Sequence, residues 1–310
     1  MNKYSCFIED RVYFGNYPSD ESASFLEENG VICFVNLTCP HEKLPDYKIG
    51  DKSMKINYYI QDRSYPKNIQ TFSILIIKIK NIFNKLKYNE KIYVHCRGGH
   101  GRSGILAACL LHFLKNIPID RSLYLINESH SNREGVREKW KKIGCPQTYG
   151  QKKFVYNMFQ PLYFYKAYKN GSTIGLSNYS NHNVITSVGT FKSSEAAYYA
   201  HKFKEDKYID KIKHFELPYK IKHFVEKYKG KMFENWDKKK YNIMQNILLL
   251  KIKQNDDIKE TLLKSGLRPL ICFNKRDNYW GTGNIGNGYN HLGKIWMKIR
   301  YKIYEKYDDL

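Results

Sequence analysis

The segment KIYVHCRGGHGRSGILAACLLHFLK (91–115) constrains this chain more than any other. A strand-like apolar run, IYVHC (92–96), passes through RGGHG into SGILAACLLHFLK (103–115), where apolar residues recur at helical spacing. A strand feeding a helix through so short a turn is a building unit of an α/β sheet. With the strand ending at Cys96 and the helix starting near Arg102, the backbone N–H groups of the turn converge on one centre at a positive helix N-terminus. That arrangement suits a tetrahedral dianion. Gly98, Gly99 and Gly101 permit the positive φ angles and close approach that such a curl requires.

Each residue type in the turn then has a chemical use. The field that attracts the dianion lowers a thiol's pKa, so Cys96 is expected to act as a thiolate nucleophile. Arg102 can fork two phosphoryl oxygens, a contact lysine cannot copy. Ser103 is placed to hydrogen-bond the sulfur, His95 to orient the loop, and Arg97 and His100 to add positive charge at the pocket floor or rim. Asp62, in YIQDRSYP (59–66), follows a strand-like run and supplies a general acid for the leaving oxygen. Taken singly, Cys96 reads as a small buried residue and Asp62 as a turn former before Pro66; the conjunction favours a site. Gln147 and Gln151 read as a helix cap or as residues that position water.

The rest of the first half alternates in the same way. ICFVNLT (32–38) and MKINYYIQ (54–61) read as strands, FSILIIKIKNIFNKL (72–86) as a helix, and 120–130 and 148–160 as two more. Pro161 and the polar NGSTIGLSN (170–178) open a second, mostly helical half. Its helices are expected around 193–204, 239–254 and 256–265 and from about 290, so the chain divides into 1–160 and 161–310.

HCRGGHGRSG resembles the active-site loop of the dual-specificity, or tyrosine-type, cysteine phosphatases. The likeness extends over 1–160 through VYFGNYP (12–18), VNLT (35–38), the Asp62 loop and GCPQTYGQKKF (144–154). It implies a central sheet flanked by helices, with Cys96 as nucleophile through a phosphocysteine, Arg102 as phosphate clamp and Asp62 as acid. No metal or cofactor is called for. The substrate is a phosphorylated protein or a nucleotide-like phosphate.

The second half carries a different constellation. In SSEAAYYAHKF (193–203), Ser193 or Ser194 caps a helix, and Glu195 and Lys202 lie two turns apart on one face with Tyr198 or Tyr199 between them. That is either a sugar-processing edge or an ordinary salt-bridge ladder. In RDNYWGTGNIGNGYNHLGKIWMKIR (276–300), four glycines, among them Gly281 and Gly283, lead to Asn290 as a cap of the last helix. Such a loop can cradle a pyrophosphate by backbone N–H groups, with Asp277 and Trp280 at its entrance; otherwise it is a turn with Trp280 in a core. Lys251 continues the apolar stripe of Met244, Ile247 and Leu248, where snorkelling is the simpler reading.

Together GLSNY (175–179), SSEAAYYAHKF, Trp236 with IMQNILLLKIKQN (243–255), and DNYWGTGNIGNGYNHLGKIWMKIR (277–300) resemble the NADAR, or YbiA-like, family. The resemblance spans about 160–305 and implies a mainly α-helical fold with N-glycosidase activity on ribosides, including removal of ADP-ribose from guanine bases. It implies Lys202 as nucleophile, with Lys251 as its rival, and Glu195 and Asp277 as acid/base and cation-stabilising carboxylates. Tyr198 and Trp280 would stack on base or sugar, Trp236 would line the site, and Ser177 and Asn178 would contact ribose or phosphate. Ile252 departs from the aromatic residue usual after the lysine, a change expected to affect packing only.

Composition adds limits. The net charge of +22 comes mainly from lysine, with ten arginines among 52 basic residues, and is spread over both halves. This suits a basic solvated surface that attracts phosphorylated substrates. The seven cysteines are scattered and lack the spacing of a disulfide framework or a zinc site. No apolar run is long enough to span a membrane, and no leader is evident, so cytoplasm, a nucleus or a viral factory is the expected location. The whole-chain reading is a bifunctional phosphatase and N-glycosidase. The alternatives are a phosphatase with a C-terminal ADP-ribose or nucleic-acid binding module, and an RNA 5′-phosphatase.

Overall fold

The computed structural model describes residues 1, 3–165, 173–216 and 218–307; residues 170–172 of the NGSTIGLSN stretch lie outside them. The chain divides into one compact unit of Met1–Gln160, with which the residues from Tyr304 group, and a second of Pro161–Ile303.

The first unit begins with a hairpin of β1 (Ser5–Ile8) and β2 (Val12–Gly15). Helix α1 (Asp20–Glu28), capped by the Ser19 hydroxyl, leads to β3 (Val31–Asn36), β4 (Met54–Asn57) and α2 (Ile69–Lys85). Then come β5 (Lys91–His95), α3 (Arg102–Lys115), α4 (Ile119–Ser131), α5 (Glu138–Ile143) and α6 (Tyr149–Phe159). The sheet order is β1-β2-β5-β3-β4, with β2, β5, β3 and β4 parallel and β1 antiparallel at the edge. β3 and β5 are buried along nearly their whole length, as expected for parallel strands covered on both faces. The strand expected over 54–61 stops at Asn57, although the Ile60 amide still donates to the Leu37 carbonyl at 3.2 Å.

This topology positions a site. β5 lies between β2 and β3, and the parallel strands end at one edge. The turns after β2, β3, β4 and β5 therefore share that edge, which is where ligands bind in open α/β sheets.

The second unit contains β6 (Leu162–Phe164), β7 (Val184–Thr186), β8 (Gly189–Phe191), α7 (Ser194–Ala200), α8 (Asp206–Lys213) and α9 (Pro218–Lys227). These are followed by α10 (Trp236–Gln254), α11 (Asp256–Lys264), β9 (Leu270–Cys272) and α12 (His291–Tyr304). Among the described residues it is mainly helical, with two small sheets, β6-β9 and β7-β8. The helix expected over 193–204 closes at Ala200, and α8 and α9 lie where no helix was expected. Ile252 sits in the core, in keeping with a packing role. Trp296 of α12 is fully buried there, and its indole N–H donates to the Leu176 carbonyl at 2.9 Å.

Replacing Trp296 by Phe keeps a ring but strands that carbonyl in an apolar core. The second unit is expected to lose about 2–3 kcal/mol, read as a lower denaturant midpoint by circular dichroism, with the first unit's transition unmoved.

Candidate active sites

At the end of β5, Cys96 is 3% exposed and its sulfur lies 3.5 Å from the Ser103 hydroxyl, as expected. The turn is held by tight packing. Gly99 has φ +69°, and a Cβ there would collide with the backbone of Gly15 and Asn16 after β2. Arg133, absent from the sequence reading, is buried behind the turn and donates to the Gly99 carbonyl at 3.3 Å. His95 is fully buried in a box of Tyr17, Tyr47 and Tyr93 rings, with Nε2 2.7 Å from the Tyr47 hydroxyl. Burial pushes its pKa down to about 3, so it is a neutral strut for the loop.

Arg102 is 1% exposed, and both its Nη atoms have partners. Both Nη atoms bond the Glu42 carboxylate, Nη2 at 3.0 Å; Nη1 also donates to the Ile60 carbonyl at 2.9 Å, and Nη2 pairs with Asp62 at 3.0 Å. Burial raises the Glu42 carboxyl, but the Arg102 and Cys39 N–H donors bring it net below the usual carboxylate range. Glu42 lies in CPHEK just after β3, and only the strand order reveals that this turn faces Arg102. Asp62 is 55% exposed, so the proposed acid is open to solvent beside the clamp.

Two expectations for this loop need correction or refinement. His100 does not add charge to the pocket: its ring stacks on Trp140 and its Nδ1 meets His130 Nε2 at 2.7 Å. Burial and nearby Arg133 push its pKa down to about 4. Arg97 is exposed and remains available at the rim. Gln151 forms a capping box with Thr148, and its Nε2 donates to the Ser64 carbonyl at 2.9 Å in the Asp62 turn.

In the second unit Glu195 lies in the first turn of α7, and its amide donates to the Asn178 carbonyl at 3.0 Å. Tyr179 and Tyr199 flank its carboxyl and, as phenol donors, favour its ionised form. Burial, reinforced by nearby Asp277, nevertheless raises that carboxyl to about 7, against the lowering effect of Tyr179, Lys202 and Tyr199. Lys202 lies just beyond α7. Its ammonium sits 5.4, 4.8 and 5.5 Å from the ring centres of Tyr198, Tyr199 and Trp236. Burial lowers its pKa, while Glu195 acts in the opposite sense. Tyr198 packs edge-on against Trp236 and Trp280, extending the aromatic wall. Asp277 accepts from the Tyr279 and Trp280 amides at 2.9 and 2.8 Å, which fixes the turn carrying Trp280.

Other residues expected here do different work. The glycine-rich loop is not an open cradle along its whole length, because several of its amides are spent internally. Gly283 donates to Asn274 and Asp277, Gly288 to Thr282, and Asn290 to Gly281. At the helix start His291 and Leu292 donate to Tyr279 and Trp280. Gly281 and Gly283 are thus turn formers. The Asn290 amide side chain ties α12 to β9 through Leu270 and Cys272, both at 2.9 Å. Ser177 and Asn178 are buried rather than facing a ligand; the Ser177 hydroxyl donates to Tyr165 and accepts from the Tyr179 amide at 3.2 Å. Lys251 does not snorkel: its ammonium has 0% exposure and donates to Gly175 O, Ser177 O and Ser180 Oγ at 2.6–2.8 Å. Burial lowers it to about 7. Among the described residues no His/Cys/Asp/Glu group is arranged to hold a metal ion.

Comparison with known proteins follows the same division. Residues 12–143 match the model of the dual specificity phosphatase catalytic domain, and 163–304 match the NADAR domain. "Putative tyrosine phosphatase 197R" of Invertebrate iridescent virus 6 is 31% identical over 304 residues, which cover 96% of this chain and 90% of that protein. "Putative tyrosine phosphatase 067L" of Invertebrate iridescent virus 3 is 38% identical over 168 residues, 51% of this chain and 66% of that protein. "N-glycosidase YbiA" of Escherichia coli (strain K12) is 27% identical over 127 residues, 41% of this chain and 79% of that protein. Among solved structures, the NMR structure of E. coli YbiA has 25% identity and a TM-score of 0.44, covering 49% of this chain and 89% of its own. Tk-PTP in its active form has 19% identity and a TM-score of 0.40, covering 50% and 95%.

Because Gly99 combines a left-handed φ with backbone on its open side, Gly99→Ala is expected to weaken tungstate binding about 10- to 30-fold. Calorimetry reads the loss, and unchanged far-UV circular dichroism shows that it is local.

Proposed function

The chain belongs to the family of the Invertebrate iridescent virus 6 relative, joining a dual specificity phosphatase catalytic domain to a NADAR domain, and on that premise we propose that it is a bifunctional hydrolase. The domains are taken as 1–160 and 161–310. The first is a phosphatase acting on phosphomonoesters of protein or nucleotide-like substrates; the second is an N-glycosidase acting on ribosides of the ADP-ribose type, such as ADP-ribosylated guanine.

In the first site the Cys96 thiolate attacks phosphorus while Asp62 protonates the leaving oxygen, breaking the P–O ester bond. Arg102 and the turn's N–H groups hold the three equatorial oxygens. Water then attacks the phosphocysteine, releasing phosphate and restoring the thiolate, with Ser103 assisting the departing sulfur. Supporting this reading is the convergence of Cys96, Arg102 and Asp62 at one sheet edge.

In the second site Glu195 retains a proton near neutrality and gives it to the departing base nitrogen as the C1′–N bond breaks. Lys202, whose proton affinity burial lowers, attacks the anomeric carbon through its amine; the adduct's proton passes to the ring oxygen as the C1′–O4′ bond opens, giving a Schiff base that water hydrolyses. Asp277 stabilises the developing cation. The observation that carries this half is the raised carboxyl of Glu195 beside a lysine caged by three aromatic rings. The chain's strong positive charge suits anionic substrates at both sites.

The direct test incubates the protein with a phosphotyrosine peptide, ADP-ribose phosphates and ADP-ribosylated DNA. Cys96→Ser is expected to lose at least about 10³-fold in phosphate release, and Lys202→Ala a comparable factor in base or ADP-ribose release, each leaving the other activity intact. Cross-loss, or turnover by Cys96→Ser, contradicts the assignment. A second prediction concerns pH. The active form of Glu195 is protonated, so glycosidase kcat should fall as pH rises through about 7, and Glu195→Gln should abolish that limb along with most of the rate.

A further inference from the structure

Lys251 projects from α10 into the core with 0% exposure and, among the described residues, no carboxylate within ion-pair range, Asp257 acting on it only from farther off. Its three protons go instead to one loop: 2.6 Å to the Gly175 carbonyl, 2.8 Å to the Ser177 carbonyl and 2.7 Å to the Ser180 hydroxyl. The carbonyls between and beyond are held as well. Leu176 accepts from the Trp296 indole, and Asn178 from the Glu195 amide. Four successive carbonyls are therefore each fixed by a donor from another element. The next residue, Tyr179, is a phenol neighbour that lowers the proton affinity of the Glu195 carboxyl.

We propose that Lys251 is a positioning residue for Glu195: by clamping the loop Gly175–Ser180 from inside the core, it fixes the Asn178 carbonyl that accepts the Glu195 amide and, with it, the Tyr179 side chain beside that carboxyl. No neutral side chain offers three donors from one point, and removing the ammonium leaves the Gly175 and Ser177 carbonyls only contacts within the loop, from Ser180. The inference draws its functional meaning from the glycosidase reading of Glu195, but the clamp can be tested without turnover. The groups that act on Glu195 are Tyr179 and Tyr199 as phenol neighbours, and Asp277 and Lys202 by charge; Tyr165, Tyr198 and Cys272 in turn feel its charge. Lys251 reaches Glu195 through Tyr179 and the Asn178 carbonyl.

The experiment is a carboxyl titration by ¹³C NMR on the full chain with labelled glutamate, the Glu195 signal being assigned by its loss in Glu195→Gln. A phenol donating to a carboxylate lowers its midpoint, so Tyr179→Phe is expected to raise the Glu195 midpoint by about one pH unit. Lys251→Met should raise it in the same direction, and the double variant no further than Tyr179→Phe alone. Ser180→Ala, which removes one of the three acceptors and preserves the core, should shift it part of the way; it decides the matter if Lys251→Met does not fold. A Glu195 midpoint that moves in Tyr179→Phe but stays at its wild-type value in Lys251→Met, or in Ser180→Ala where that variant decides, overturns the proposal. So do additive shifts in the double variant. Failure of the glycosidase assays with these shifts present would instead count against the function proposed for the site.

Discussion

A cation taken out of water must find its partners within the fold, and each unit is organised around one that does. In the first, the Arg102 guanidinium draws Glu42, Asp62 and the Ile60 carbonyl from two other turns toward the end of β5. In the second, the Lys251 ammonium draws three acceptors of one loop onto α10. Leaving either charge uncompensated would cost several kcal/mol. The surrounding turns are therefore held to the geometry that satisfies it, and the catalytic groups inherit that geometry.

The two candidate sites use burial in different ways. Around Cys96 the histidines are driven neutral, His95 to about 3 and His100 to about 4, so positive charge is concentrated in Arg102, the buried Arg133 and the exposed Arg97. Around Glu195 burial instead keeps a proton on a carboxyl, and beside it lowers the proton affinity of Lys202. Pairs of groups whose ionisation is pushed toward the middle of the pH range are those that exchange protons readily.

Much of this was legible before any coordinates. The strand–turn–helix around Cys96 and the pairing of Cys96 with Ser103 follow from local pattern and spacing, because a short turn leaves few conformations; Asp62, 40 residues before Arg102, was placed at the site by its position after a strand and by family resemblance. Glu42 and Arg133 were not legible. Glu42 lies 60 residues from Arg102 in sequence and meets it only because β3 and β5 are neighbours. His100 was misread because its charge depends on Trp140 and His130, which arrive from later segments. Likewise the glycine-rich loop looked like an anion cradle, since sequence shows which residues permit a curl but not whether its amides are already bonded.

The sequence by itself determined the residue chemistry and the local elements that carry it: a cysteine turn after a strand, a carboxylate at a helix start, a lysine on an apolar stripe. Those depend on interactions within a few residues, which spacing and side-chain type encode directly. Only the tertiary structure decided which charges are buried and what compensates them. It separated Lys202, caged among aromatic rings at the candidate site, from Lys251, spent on backbone carbonyls in the core. The same side chain takes opposite roles because desolvation and hydrogen-bond geometry are properties of packing between distant segments, and no local pattern of residues contains them.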